Sequence, residues 1–335
     1  MIRILFFFFG LLFILSAKAQ QVTDTPRRGE GITAFLERNN RPGRTYYKAF
    51  LELNKKRLRG KKELQYGVRY VLPPLKDDKE GKDEGASSEG NVRNEPLFGK
   101  ELSQVKVTSN RLKGACFYVV SGHGGPDPGA IGRVGRTELH EDEYAYDVAL
   151  RLARNLMQEG AEVYIIIQDK KDGIRNEHYL KNSKRETCMG DPIPLNQVER
   201  LKQRCTKING LYAKERNRYK YCRAIFIHVD SRSKRAQTDV FFYHAPKSPL
   251  GERLAKSMKN TFEAKYDKHQ PNRGFEGTVS ARNLYVLLNA TPVSVFVELG
   301  NIQNAFDQRR FVISDNRQAL AKWMTEAFIA DFRKK

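Results

Sequence analysis

No apolar run in this chain is long enough to cross a bilayer, which takes about 20 residues. The leading run, Ile4 to Leu15, falls short and is interrupted by Gly10. With Arg3 before it and Ala17-Lys-Ala19 after it, the segment reads as a secretory leader, residues 1–19, cleaved so that the mature chain starts at Gln20. No cysteine follows that cleavage point, which argues against a lipid-modified N-terminus, and no transmembrane anchor is expected after cleavage. The chain has one tryptophan and four cysteines. It also lacks a zinc knuckle, a recognition-helix pattern and an aromatic platform interleaved with its cations. A formal charge of +21 therefore does not point to nucleic acid. For an exported chain, in the periplasm or secreted, the natural anionic partner is the cell envelope. There are no internal repeats.

Export permits disulfides. Cys116 falls in an apolar run and reads as a buried thiol. Cys188 and Cys205 flank a long insertion and are the better candidates for a bridge, with Cys222 competing. Residues 77–99 are expected to be a flexible linker, since Lys, Asp, Glu, Gly and Ser dominate its first part and cannot offset the entropy of ordering. Residues 100–335 then form the main domain, large enough for one substantial core.

Strands and helices alternate in that domain. Predicted strands are Cys116–Val120, Glu162–Gln168, Ala224–His228, Val240–His244 and Ser294–Leu299. Predicted helices are Glu141–Glu159, Leu195–Asn217, Gly251–Lys265 and Asp315–Phe332. The alternation means α/β, a mostly parallel mixed sheet with helices on both faces. The strand near Val240 is a candidate for antiparallel pairing.

Three strand ends carry chemistry. Cys116-Phe-Tyr-Val-Val120 runs into Ser121-Gly-His-Gly-Gly-Pro-Asp-Pro-Gly-Ala130, so His123 sits just past a strand in a glycine-rich loop. Arg223-Ala-Ile-Phe-Ile-His228 ends in a second histidine, and Ser294-Val-Phe-Val-Glu298 ends in a carboxylate. Ligands bind at that edge of open α/β sheets. Glu141 opens the helix between them. Two histidines and a carboxylate with an open position match a catalytic zinc site, and a second carboxylate would serve as general base.

With these four segments the chain, from about Leu112 onward, resembles the zinc-dependent N-acetylmuramoyl-L-alanine amidases that cut bacterial cell walls. The resemblance implies a six-stranded mixed sheet of the phosphorylase/hydrolase-like type. It implies one zinc ion held by His123, Glu141 and His228, with Glu298 as the catalytic carboxylate. The substrate would be peptidoglycan, cut between N-acetylmuramic acid and L-alanine, and an activator protein in the envelope is a possible partner. One departure is Asp230, where the family usually has Asn. His140 competes with Glu141 as a ligand; the family pattern favours Glu141. Candidate substrate contacts are Arg136, Asp230, Arg232 and Asn304. The rivals are another zinc amidohydrolase or carboxypeptidase, and a non-catalytic peptidoglycan-binding protein.

Residues 29–73 resemble a LysM module, a small βααβ unit that binds N-acetylglucosamine-containing glycans, with its first strand poorly marked; a packing appendage is the alternative. The segment from Asp169 to Tyr221 is long for a connection. Its polar start, Lys170–Asp191, is read either as a lid over the zinc cleft or as a wall of the substrate groove.

Overall fold

The structure is a computed structural model and describes residues 22–27, 29–39, 41, 44–61, 63–74, 92–230, 237–271 and 273–335. The expected leader, most of the expected linker and Arg232 lie outside these residues.

The N-terminal unit runs β1 (Thr23–Asp24), α1 (Ile32–Arg38), α2 (Arg44–Leu53), α3 (Lys55–Leu58) and β2 (Tyr70–Val71). β1 and β2 pair antiparallel and enclose three helices, with the first strand upstream of residue 29. Phe35, Phe50 and Tyr70 pack edge-on into a small aromatic core. The unit is docked on the main domain. Gly31 N–H donates to Ser314 Oγ at 3.4 Å, and the Asp315 carboxylate faces the N–H groups of Ile32, Thr33 and Ala34. These are the orphan donors of the first turn of α1. A Cβ on Gly31 would fall 2.2 Å from the Asp315 carboxyl carbon.

The main domain begins earlier than expected. Residues assigned to the end of the linker form β3 (Val92–Asn94), hydrogen-bonded to β4 (Gln104–Lys106). A 3-10 turn between them (Pro96–Phe98) sinks Phe98 into the core. Val105 of β4 is buried in the same core, and Leu97 and Leu102 pack against it.

Next come β5 (Ala115–Ser121), the hairpin β6 (Ile131–Val134) and β7 (Thr137–His140), α4 (Glu141–Gln158), β8 (Glu162–Ile165) and β9 (Ile167–Gln168). The insertion supplies β10 (Thr187–Cys188), β11 (Asp191–Pro192) and α5 (Gln197–Glu215). The chain finishes with β12 (Tyr221–Asp230), β13 (Phe241–His244), α6 (Pro249–His269), β14 (Val279–Ala281), α7 (Tyr285–Asn289), β15 (Val293–Asn301), α8 (Gln308–Val312) and α9 (Ser314–Phe332).

The main sheet has six strands in the order β14-β13-β15-β12-β5-β8. β8, β5, β12 and β15 run parallel, and β13 is antiparallel to β15, as the reading near Val240 anticipated. Alternation along the central strands splits the core in two. Phe117, Val119, Ile225 and Ile227 face α4, α6 and α9, while Cys116, Tyr118, Val120 and Phe226 face α5 and α7. The expected strand Glu162–Gln168 breaks after Ile165: β9 leaves the main sheet and pairs with β10 of the insertion.

All four cysteines are free and buried. The candidate bridge of Cys188 with Cys205, or with the competing Cys222, is not formed; Cys188, Cys205 of α5 and Cys222 lie in one apolar layer. Cys116 and Cys222 are register partners on β5 and β12.

Candidate metal centre

The carboxyl ends of β5 and β12 and the start of α4 converge on one point. His123, Glu141 and His228 each present a ligand atom there, all within 4.8 Å of one another. Their order in the sheet explains the convergence. β5 and β12 are neighbours and parallel, so the residues just past their ends share an edge.

Glu141 is the hub. Its Oε1 lies 3.3 Å from His123 Nε2 and 3.0 Å from His228 Nδ1, and also accepts from Val229 N–H at 2.9 Å. Its Oε2 accepts from Ala130 N–H at 2.8 Å. Burial opposes its charge, but the two histidines hold this carboxyl well below the usual range. His123 Nδ1 donates to Asp127 Oδ2 at 2.9 Å, since a carboxylate only accepts. Burial disfavours a charged His123, yet Glu141 and Asp127 outweigh it and push the imidazole up to about 10. Burial instead keeps His228 below its ordinary value; its ring stacks on Phe296 at 4.3 Å.

Two glycines are dictated by this packing. A Cβ on Gly122 would lie 2.4 Å from the His228 ring. One on Gly129, which has φ +67°, would lie 2.7 Å from both Glu141 Oε2 and the His123 ring. His123 itself takes φ +59°, a left-handed conformation uncommon outside glycine.

The cluster faces a cleft of about 540 Å³. Glu298 lines it, in direct register with His228 on the adjacent parallel strand, so both side chains leave the sheet on the same face. Asp230, Asp127, Gln197 and Arg200 complete much of the wall. Donor chemistry fits zinc. Two imidazoles and a carboxylate are a three-ligand catalytic set, and the Asp127 contact on the far nitrogen of His123 is the partner that zinc-bound histidines characteristically have.

The other sequence candidates disperse. His140 contacts Glu138 and Asn182 and stays outside the cluster. Arg136 is exposed in the β6–β7 turn and is not among the residues lining the cleft. Asn304 shapes its own loop, its Oδ1 accepting from Phe306 and Asp307 N–H. Asp230 is buried at the cleft floor.

The insertion contributes residues that the sequence reading passed over. Gln197, Arg200 and Arg204 share one face of α5, a spacing of three and four that could have flagged them. Arg200 Nη2 pairs with Asp127 Oδ2 at 2.7 Å, and Arg204 donates to the His123 carbonyl. Lys170–Asp191 itself is stitched to α4 and the metal loop. Arg175 pairs with Glu143 at 2.8 Å, Tyr144 Oη donates to the His178 carbonyl at 3.0 Å, and Glu186 accepts from Gly125 N–H at 2.8 Å. None of its residues lines the cleft.

Residues 118–330 match the N-acetylmuramoyl-L-alanine amidase family. The germination-specific N-acetylmuramoyl-L-alanine amidase of Bacillus subtilis is 27% identical over 205 residues, 59% of this chain and 72% of that protein. Among solved structures, an N-acetylmuramoyl-L-alanine amidase from Clostridium difficile aligns with 18% identity and a TM-score of 0.48, covering 67% of this chain and 99% of that one. The catalytic domain of CwlV from Bacillus (Paenibacillus) polymyxa aligns with 19% identity and a TM-score of 0.46, over 66% and 99%. With the family match spanning well over half of its length, this chain belongs to the N-acetylmuramoyl-L-alanine amidases, hydrolases of the bacterial cell wall.

Proposed function

We propose that the chain cuts the lactyl amide between N-acetylmuramic acid and L-alanine by zinc-activated water, with His123, Glu141 and His228 as the ligands and Glu298 as the base. The observation that carries this is the register of Glu298 beside His228, which sets a second carboxylate next to the ligand cluster in one cleft. Zinc bound there would supply Lewis acidity, polarising the amide carbonyl and lowering the pKa of a water. Glu298 then takes the proton of the attacking water and returns it to the departing alanine amine. Asp127 keeps the Nδ1 proton on His123 and so directs Nε2 to the cleft. Asp230 lines the same cleft and is the candidate substrate contact there.

The same reading places the enzyme outside the cytoplasm, on peptidoglycan, with the N-terminal unit holding glycan. Control by an activator protein in the envelope belongs to it too. Among the described residues no helix is long and apolar enough to cross a membrane.

The decisive experiment is digestion of purified sacculi with product identification, beside zinc analysis of His123→Ala and His228→Ala. Free stem peptides with an L-alanine N-terminus, and loss of zinc in both folded variants, are the expected results. Full zinc in both variants would overturn the ligand assignment, and products cut elsewhere would overturn the bond.

A further inference from the structure

His123 is held from more sides than a metal ligand needs. Its backbone lies at φ +59°, a left-handed conformation strained for a non-glycine residue. Such a conformation persists only where its surroundings over-determine it. The surroundings here come from α5, an element of the insertion. Arg204, buried itself, donates to the His123 carbonyl. Arg200 Nη2 donates to Asp127 Oδ2 at 2.7 Å, the same oxygen that accepts from His123 Nδ1 at 2.9 Å. Arg200 is fixed in turn by donating through Nη1 to the Leu195 carbonyl, just before the helix.

We infer that Arg200 is a positioning residue for the metal centre: from the insertion helix it fixes Asp127, and through Asp127 it orients His123 for the ion. The inference rests on the zinc reading of the His123–Glu141–His228 cluster. Its physical basis is the sharing of one oxygen. Without Arg200 the imidazole alone would direct Oδ2, whereas a guanidinium donating to the same oxygen presents it to the imidazole in one direction. The Asp127 carboxylate accepts from His123 and Arg200 through Oδ2 and from Gly129 N–H through Oδ1. The insertion wall and the metal ligand therefore form one unit.

Zinc affinity, measured by chelator competition on the full chain, tests this. Arg200→Gln should weaken zinc binding about 10- to 100-fold, the effect typical of losing an outer partner of a ligand. Arg200→Lys should recover only part of the loss, because a point charge cannot reproduce the fixed fork. In an Asp127→Asn background, Arg200→Gln should add less than about threefold, since its route is already cut. Lys202→Gln, exposed on the same helix, is the control and should leave affinity unchanged. Wild-type affinity in Arg200→Gln, or an undiminished effect in the Asp127→Asn background, would overturn the inference. A wild-type chain that fails to bind one zinc would instead overturn the zinc reading itself, so the two failures are separable.

Discussion

At the scale of single residues, the proposed site assigns binding and chemistry to different carboxylates. Glu141 is wrapped by two histidines and two backbone N–H groups, whereas Glu298 stands across the cleft on its own strand. Glu298→Gln should therefore keep zinc and substrate affinity and lose turnover about 100-fold or more, the range for general acid–base catalysis. Isothermal titration and kcat on soluble muropeptides would check it, and a near-normal kcat would move the base elsewhere. A second residue-scale prediction concerns acid. Asp147 is fully buried between Arg151 at 2.7 Å and Arg317 at 2.6 Å, and accepts from Arg175 N–H at 2.7 Å. Burial opposes its charge, but Arg151, Arg317 and Arg175 hold it down at about 2. A carboxyl depressed in the folded state contributes stability above the unfolded value of about 4, and loses it as pH falls toward 2. Urea midpoints measured between those limits should fall in the wild type. Asp147→Asn should flatten that slope and cost about 3 to 5 kcal/mol at neutral pH, because it strands two buried guanidinium groups.

At the scale of elements, α5 is the part of the insertion that lines the cleft. Lys170–Asp191 buries Leu180, Ser183, Glu186 and Cys188 and bonds to α4 along its length, while the groove face is α5. Replacing 170–191 with a short Gly-Ser connection should lower the melting temperature by several degrees and leave muropeptide turnover no higher than wild type. A rise in turnover would restore the lid. The main elements were legible in the sequence because their signals are local. Apolar runs ending in His123, His228 and Glu298 announce buried strands, and the period from Tyr144 to Leu156 announces α4. What escaped was set by contacts distant in sequence. Arg200 gains its meaning from Asp127, 73 positions away, and no pattern within α5 says which loop its polar face meets. The break of β9 from the main sheet arises from pairing with β10, and the order of residues 92–98 from Phe98 entering a core built mostly downstream. Arg136 is close to Glu141 in sequence, but the β6–β7 hairpin carries it to an exposed turn.

For the whole molecule, the proposed function gives the net charge of +21 and the docked N-terminal unit one role, binding to peptidoglycan. A chain starting at Val92 should lose binding to sacculi in pull-down assays while its turnover of small soluble muropeptides stays within about twofold, because tethering acts through effective concentration and not through the chemistry. Retained binding would assign the anchoring to the basic surface of the main domain. The junction itself has a thermodynamic consequence. Asp315 of α9 closes the open end of α1, and Ser314 bonds to the same turn, so neither unit can melt without stranding polar groups of the other. Units coupled this way share one cooperative transition. Scanning calorimetry of the full chain should then give a single endotherm with matching calorimetric and van't Hoff enthalpies, and Asp315→Ala should split it into two.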